Sequence, residues 1–283
     1  MKKRKLLALC PLLPIMFSIS SCNVEKNHTH VFDENNTCKC GYVSEGFTKH
    51  TYDNDGYILN YRKYMPEDAS EDNKRPLIIF LHGVGERGDD NEAQLRVAIN
   101  NIYNKGEWAK SVIIAPQCPL DAYWVHTPWA DGNYNQSEVP ESKPLGAVIG
   151  LVKEYMSKPY IDISRIYVVG LSLGGFGTWD LISRYPDIFA AAVPVCGGGP
   201  VDRIEALKNI PIYTFHGTVD DAVPYAATSE MYKLIKDAGG EKIIFKTFID
   251  GHIIWDRAFA FEGEEILGYP PLEEWLFSQR KEN

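Results

Sequence analysis

Cysteine is scarce in this 283-residue chain. There are six in all, and Cys10 and Cys22 fall in the first 22 residues, which leaves Cys38, Cys40, Cys118 and Cys196. Four cysteines are too few for a disulfide scaffold, so a core of Ile, Val, Leu, Phe and Tyr has to hold the fold. Positive charge is also short: 29 Lys and Arg face 38 Asp and Glu, a formal net charge of −9. A surface of that sign repels phosphate backbones, which argues against a nucleic-acid partner and suits an uncharged or weakly charged substrate. The apolar run at residues 6–19 is shorter than the about 20 residues a bilayer span needs, and Pro11 and Pro14 interrupt it. Internal repeats and low-complexity tracts are absent.

What is present begins with a basic start, Lys2 to Lys5, ahead of that short apolar run, which reads as an export signal and not as structure. Next comes Ile19-Ser20-Ser21-Cys22, which resembles the lipobox of bacterial lipoproteins. The resemblance implies cleavage before Cys22 and a lipid on that residue, so that the protein is tethered to a membrane outside the cytoplasm without spanning it. Cleavage there takes 21 residues, leaves 262 and moves the charge from −9 to −13. The expected divisions are a signal at residues 1–21, a polar linker or small His/Cys segment at 22–46, and one large α/β domain at 47–283. His28, His30, Cys38 and Cys40 lie in the middle segment. Two His and two Cys can build a tetrahedral zinc site, but His-x-His and Cys-x-Cys are tighter than the usual ligand spacings, so no metal is expected.

From Tyr52 onward, strand-like runs alternate with helical periods. Residues 58–65 alternate apolar and polar, as an antiparallel edge strand does. Residues 77–81, 112–115, 166–169, 190–195, 212–215 and 243–248 are short, mostly β-branched or aromatic runs, the pattern of parallel strands buried on both faces. Between them, Leu95, Ile99, Ile102 and Tyr103, then Leu145, Val148, Ile149 and Val152, then Met231, Leu234, Ile235 and Ala238 keep helical spacing. Gly239 and Gly240 are placed to end the last of these helices. The alternation predicts a mostly parallel sheet with helices on both faces.

Gly170-Leu171-Ser172-Leu173-Gly174 follows one predicted strand and precedes a helix-like stretch at 176–184. A serine on such a strand-to-helix turn projects its Oγ out of the sheet, and the turn accepts only small flanking residues. A hydroxyl nucleophile needs a base, and the base needs a carboxylate to fix its tautomer. Downstream of Ser172 the histidines are His216 and His252. In the chain order Ser, acid, His, only His252 follows an acid in the segment His216-Gly217-Thr218-Val219-Asp220-Asp221, and that acid is Asp220 or Asp221.

This segment resembles the His-Gly-x-x-Asp-x-x-Val-Pro acid loop of the α/β-hydrolase superfamily, and the resemblance implies Asp220. Leu81-His82-Gly83-Val84-Gly85 similarly resembles the His-Gly-x-Gly loop of esterases, which implies an oxyanion hole built from the N–H of Leu173 and that of Val84, with Gly85 the alternative. His82 is expected to be structural. Together LHGVGERG, GLSLGGFGTW, FHGTVDDAVP and DGH resemble a subgroup of secreted bacterial esterases described as phospholipase/carboxylesterase-like, feruloyl-esterase-like or "predicted peptidase". The implied activity is hydrolysis of carboxylic esters without a cofactor, on feruloyl or acetyl esters of plant cell-wall carbohydrate. A serine peptidase or a catalytically silent binding protein on the same scaffold are the alternatives.

Residues 117–141 lack helical or strand period and hold Tyr123, Trp124, His126, Trp129 and Tyr134. Because the segment leaves the carboxyl edge of a strand, Tyr123, Trp124 and Trp129 are candidate substrate-binding residues, packing of the loop onto the body being the other reading. Trp179 and Trp255 are expected to pack around the nucleophile helix and His252. Cys118 and Cys196 fall beyond strands three positions apart in this fold's usual order, roughly 14 Å at the ordinary strand spacing, so they are expected to be free thiols.

Overall fold

A central eight-stranded sheet organises the protein. The computed structural model describes residues 46–281, so the signal and linker segments, with Cys22, His28, His30, Cys38 and Cys40, lie outside the described residues. The strands are β1 (Phe47–Asn54), β2 (Tyr57–Tyr64), β3 (Arg75–Leu81), β4 (Val112–Pro116), β5 (Ile161–Leu171), β6 (Ala191–Val195), β7 (Ile212–Gly217) and β8 (Ile243–Phe248). Their order is β1-β2-β4-β3-β5-β6-β7-β8. The β3, β4, β5, β6, β7 and β8 neighbours run parallel, while β2 is antiparallel to both β1 and β4.

Among the described residues seven helices flank the sheet: α1 (Ile99–Ile102), α2 (Lys143–Met156), α3 (Leu173–Arg184), α4 (Ile204–Leu207), α5 (Tyr225–Asp237), α6 (Trp255–Phe259) and α7 (Leu272–Ser278). Side chains alternate across each strand, and β3 divides accordingly. Leu77, Ile79 and Leu81 join the core formed with α2, α3, α4 and α5, whereas Ile78 and Phe80 join the core with α1, α6 and α7. Both faces are therefore dry, which is why the inner strands are mostly apolar runs. Among the described residues no helix is long and apolar enough to cross a membrane.

Two sequence expectations need correction. Residues 58–65 are antiparallel, but β2 is not the edge, because β1 covers it with full register from Phe47↔Tyr64 to Asn54↔Tyr57. The missed signal is Asp55-Gly56, whose φ of 52° and 85° fit the two-residue hairpin turn that Asp-Gly favours. The helix expected around Leu95 to Tyr103 shrinks to a 3₁₀ turn at Ala93–Leu95 and the four residues of α1. Ala98, with φ 55°, separates the two. The other expected helices form: Ser142 caps α2 by accepting from the N–H of Leu145 at 3.2 Å, and Gly239, with φ 84°, follows α5. Cys118 and Cys196 are free and buried.

Candidate active site

The candidate site sits at the carboxyl edge of the sheet, where β3, β5, β7 and β8 release four loops. Ser172 occupies the turn between β5 and α3 with φ 53° and ψ −118°, a strained backbone for a non-glycine residue that costs roughly 1–3 kcal/mol. The flanking glycines are dictated by contact. A Cβ on Gly174 would lie 1.9 Å from the Leu81 carbonyl oxygen, and one on Gly170 would lie 2.3 Å from the Gly174 oxygen. The turn is pinned from the neighbouring strand by the Ser172 N–H, which donates to the Val195 carbonyl at 2.8 Å.

Ser172 Oγ lies 2.8 Å from His252 Nε2, and His252 Nδ1 lies 2.7 Å from Asp220 Oδ2. The Asp220 side chain is wholly buried. Its Oδ1 accepts from the N–H groups of Ala222 and Val223, both at 2.9 Å. Burial alone would raise this carboxyl's pKa, but hydrogen bonds from the His216 and His252 rings and from those two amides outweigh it and hold the group well below the usual carboxylate range. Asp221, the neighbour left open by the sequence, is exposed. Trp255 packs edge-on against the His252 ring at 5.6 Å, and Trp179 is buried in α3.

The loop after β3 comes up beside the serine: a Cβ on Gly83 would be 3.6 Å from Ser172 Cβ. Val84 opens a 3₁₀ turn, Val84–Glu86, with no side-chain cap, and Leu173 opens α3. The first N–H groups of such turns have no partner inside the helix and are available to an anion. Gly85 has open space around its Cα. His82 is fully buried; its Nδ1 donates to the Gly83 carbonyl at 2.6 Å and its Nε2 accepts from the Cys118 N–H at 2.9 Å. Burial lowers its pKa to about 4, so this ring is a neutral strut between the β3 and β4 loops.

Trp124 does not belong with the substrate-binding candidates. It is 0% exposed, its indole N–H donates to the His82 carbonyl at 3.1 Å, and a Cβ on Gly177 of α3 would lie 2.9 Å from its own Cβ. It supports the loop after β3 from within the core. Tyr134 is buried as well, its hydroxyl donating to Asp180 at 2.8 Å. Tyr123 and Trp129 are only partly buried, with ring centroids 5.8 Å apart. Sequence reasoning overlooked Arg87, which ties this pair to the site. Its Nε donates to the Val84 carbonyl at 3.1 Å, its Nη1 to the Ala122 carbonyl at 3.0 Å, and its guanidinium lies 4.5 Å over the Tyr123 ring. Glu86 was overlooked too; burial raises its pKa, and the Gly83 N–H it accepts offsets part of that.

Among the described residues, Cys196, His216 and Asp220 bring three potential metal-ligand atoms within 4.8 Å of one another. Burial pushes the Cys196 thiol well up, so it stays protonated, and His216 Nε2 already faces Asp220 Oδ2 at 3.1 Å. The cluster as it stands is hydrogen-bonded within itself. Chemically, the whole arrangement presents a hydroxyl to an imidazole whose far nitrogen faces a carboxylate, beside the first N–H groups of two helical turns.

Comparison with known proteins agrees with the fold. The chain is 31% identical over 90 residues to a bifunctional acetylxylan esterase/xylanase of Neocallimastix patriciarum, covering 31% of this chain and 13% of that protein. It is 55% identical over 140 residues to poly(3-hydroxyalkanoate) depolymerase C of Paucimonas lemoignei, covering 47% of this chain and 29% of that one. The chain thus spans less than a third of the length of either relative. Among solved structures, a thermostable esterase superposes with a TM-score of 0.68 at 32% identity, over 84% of this chain and 64% of the other. The family model described as phospholipase/carboxylesterase matches residues 68–264, and with the eight-stranded sheet this establishes that the chain belongs to that family of α/β-hydrolases.

Proposed function

We propose that the protein is a serine carboxylic ester hydrolase that works through an acyl-enzyme. The observation that carries this reading is the unbroken line from Ser172 Oγ through His252 to Asp220, at 2.8 and 2.7 Å. Ser172 Oγ attacks the ester carbonyl carbon while His252 Nε2 takes its proton. Asp220 holds the His252 ring and stabilises its charge, and the N–H groups of Leu173 and Val84 receive the oxyanion. Collapse expels the alcohol, which leaves with the proton from His252, and water repeats the sequence on the acyl-serine. Ser172→Ala abolishes turnover of p-nitrophenyl acetate and labelling by a fluorophosphonate probe on this account; a variant that retains either refutes it.

The substrate is an acetyl or feruloyl ester on plant cell-wall carbohydrate. Supporting this are the likeness to an acetylxylan esterase and the partly exposed Tyr123–Trp129 pair, whose flat faces suit sugar or phenolic rings. A second reading, an aliphatic polyester, has its own support in the 55% identity to a polyhydroxyalkanoate depolymerase. Val219, Ile249 and Ile253, 65%, 93% and 73% exposed on the loops that carry Asp220 and His252, add to it. Rates on acetylated xylan, methyl ferulate and poly(3-hydroxybutyrate) separate the two. Hydrolysis of the polyester alone, with Trp129→Ala leaving kcat/KM on aryl esters unchanged, removes the cell-wall reading.

The lipobox-like Ile19-Ser20-Ser21-Cys22 supports a lipid on Cys22 and a place on the outer side of a membrane. Cys22→Ala then releases the protein into the soluble fraction or blocks its maturation; a variant that stays with membranes after high-salt washing refutes the anchor.

A further inference from the structure

The triad carboxylate has a second histidine that the hydrolase reading leaves unused. His216, at the end of β7, is 0% exposed. Its Nε2 faces two oxygen acceptors at 3.1 Å each, Asp220 Oδ2 and the Val223 carbonyl. A bare ring nitrogen is repelled by an oxygen lone pair, and here it would meet two, so Nε2 carries a hydrogen. On the other side of the ring Nδ1 lies 2.7 Å from Thr228 Oγ1, whose other acceptor is the Gly197 carbonyl at 3.0 Å; with Nε2 carrying the ring hydrogen, the single hydroxyl hydrogen goes to Nδ1, the nearer of the two. Thr228 on α5 therefore anchors the ring, and the ring directs its proton at the same carboxylate oxygen that receives His252 Nδ1.

We propose that His216 is a positioning residue for the hydrolysis: it donates from Nε2 to Asp220 Oδ2, fixes that oxygen toward His252, and limits the base strength of His252. This rests on the reading of Ser172, His252 and Asp220 given above. The direction follows from sharing. A carboxylate oxygen that already accepts from His216 places less negative charge at the disposal of the His252 imidazolium. Removing the His216 donor strengthens the Asp220–His252 interaction, favours protonated His252, and moves the acidic limb of kcat/KM to higher pH.

The other groups facing this cluster carry no competing switch. Cys196, at the end of β6, is kept protonated by burial. Tyr225, at the start of α5, meets the His216 ring edge-on at 6.0 Å. β8 presents Thr247 opposite His216. Asp221 is exposed on the acid loop, and Asp250 beside His252 is paired with Arg257 at 2.8 Å.

Three variants of the full chain discriminate. His216→Gln places an N–H where Nε2 stood and keeps the donor to Asp220. His216→Asn can satisfy only Thr228, and His216→Leu satisfies neither. The expected result is an acidic limb close to wild type in His216→Gln and displaced upward by about one pH unit in the other two. Equal limbs in all four proteins, or equal displacement in Gln and Asn, overturn the proposal. Should the variants fail to fold, ¹⁵N-resolved NMR of the wild-type protein decides: His216 Nε2 is protonated, and its proton resonance moves as His252 titrates. An unprotonated Nε2, or a resonance indifferent to that titration, overturns the proposal. Turnover surviving Ser172→Ala would instead break the hydrolase reading and leave the NMR result standing, so the two failures are distinct.

Discussion

Replacing Asp220 by asparagine tests the core of the proposed mechanism with almost no change of shape. In the native protein Asp220 Oδ1 accepts two backbone N–H groups at 2.9 Å, and Oδ2 accepts from His252 Nδ1 at 2.7 Å. In Asp220→Asn the amide oxygen keeps both bonds from the Ala222 and Val223 amides when it takes the place of Oδ1. The NH₂ group then points at His252 Nδ1 and at the Nε2–H of His216, and donors cannot face each other. His252 responds by moving its hydrogen to Nε2, where it meets Ser172 Oγ and is unable to accept the serine proton. The loss of the correct tautomer, together with the loss of charge stabilisation of the imidazolium, lowers kcat by ~10⁴ in a triad of this kind, about 5.4 kcal/mol of barrier. The assay is steady-state hydrolysis of p-nitrophenyl acetate by the variant, with its thermal midpoint measured alongside to exclude unfolding. Asp221→Asn, on an exposed side chain, serves as the control and leaves kcat within about twofold of wild type. A fall of less than tenfold in Asp220→Asn, or a larger fall in Asp221→Asn, refutes the tautomer argument.

Trp124→Ala removes a wholly buried indole and its hydrogen bond to the His82 carbonyl. It should cost about 3–5 kcal/mol of stability, read as a lowered urea midpoint; a variant as stable as wild type refutes the core placement of this residue. The depressed Asp220 pKa also makes stability pH-dependent. A carboxyl with a folded pKa below its unfolded value of about 3.9 contributes stability that is present above that value and lost as pH falls through the folded one. Wild type should therefore lose its stability advantage over Asp220→Asn progressively below about pH 4, as followed by urea unfolding at successive pH values; a difference that is constant with pH refutes the shift. Tyr123→Ala should lower kcat/KM for aryl esters about two- to tenfold, the size of one aromatic contact, with little change in thermal midpoint because the ring is only partly buried; an equal loss on acetate esters of small alkyl alcohols would show that the ring acts through Arg87 and not on substrate.

Periodicity in the chain was sufficient to determine the parallel sheet, because strands buried on both faces are mostly apolar along their length and several such short runs alternate with helical periods. The glycines around Ser172 were equally legible, since a turn in which carbonyl oxygens stand 1.9 and 2.3 Å from where a Cβ would be admits no other residue. β1 escaped because Phe47–Asn54 is mostly polar and only one face is covered; its signal was the Asp55-Gly56 turn and not its composition. Residues 95–103 carried helical spacing without becoming one helix, since Ala98 turns out of the helical region there. What tertiary structure alone decided is where polar and aromatic groups face. Chain order alone left the adjacent aspartates open and only the resemblance of their loop pointed to Asp220; the turn buries the Asp220 carboxylate against two histidines and leaves Asp221 in solvent. Aromatics 123, 124 and 129 look alike along the chain, yet a single step along the loop sends Trp124 into the core under His82 and leaves Tyr123 and Trp129 half outside. Burial and hydrogen-bond partners depend on residues 40 to 80 positions away, such as the Trp124–His82 and His252–Ser172 pairs, and no local pattern encodes them.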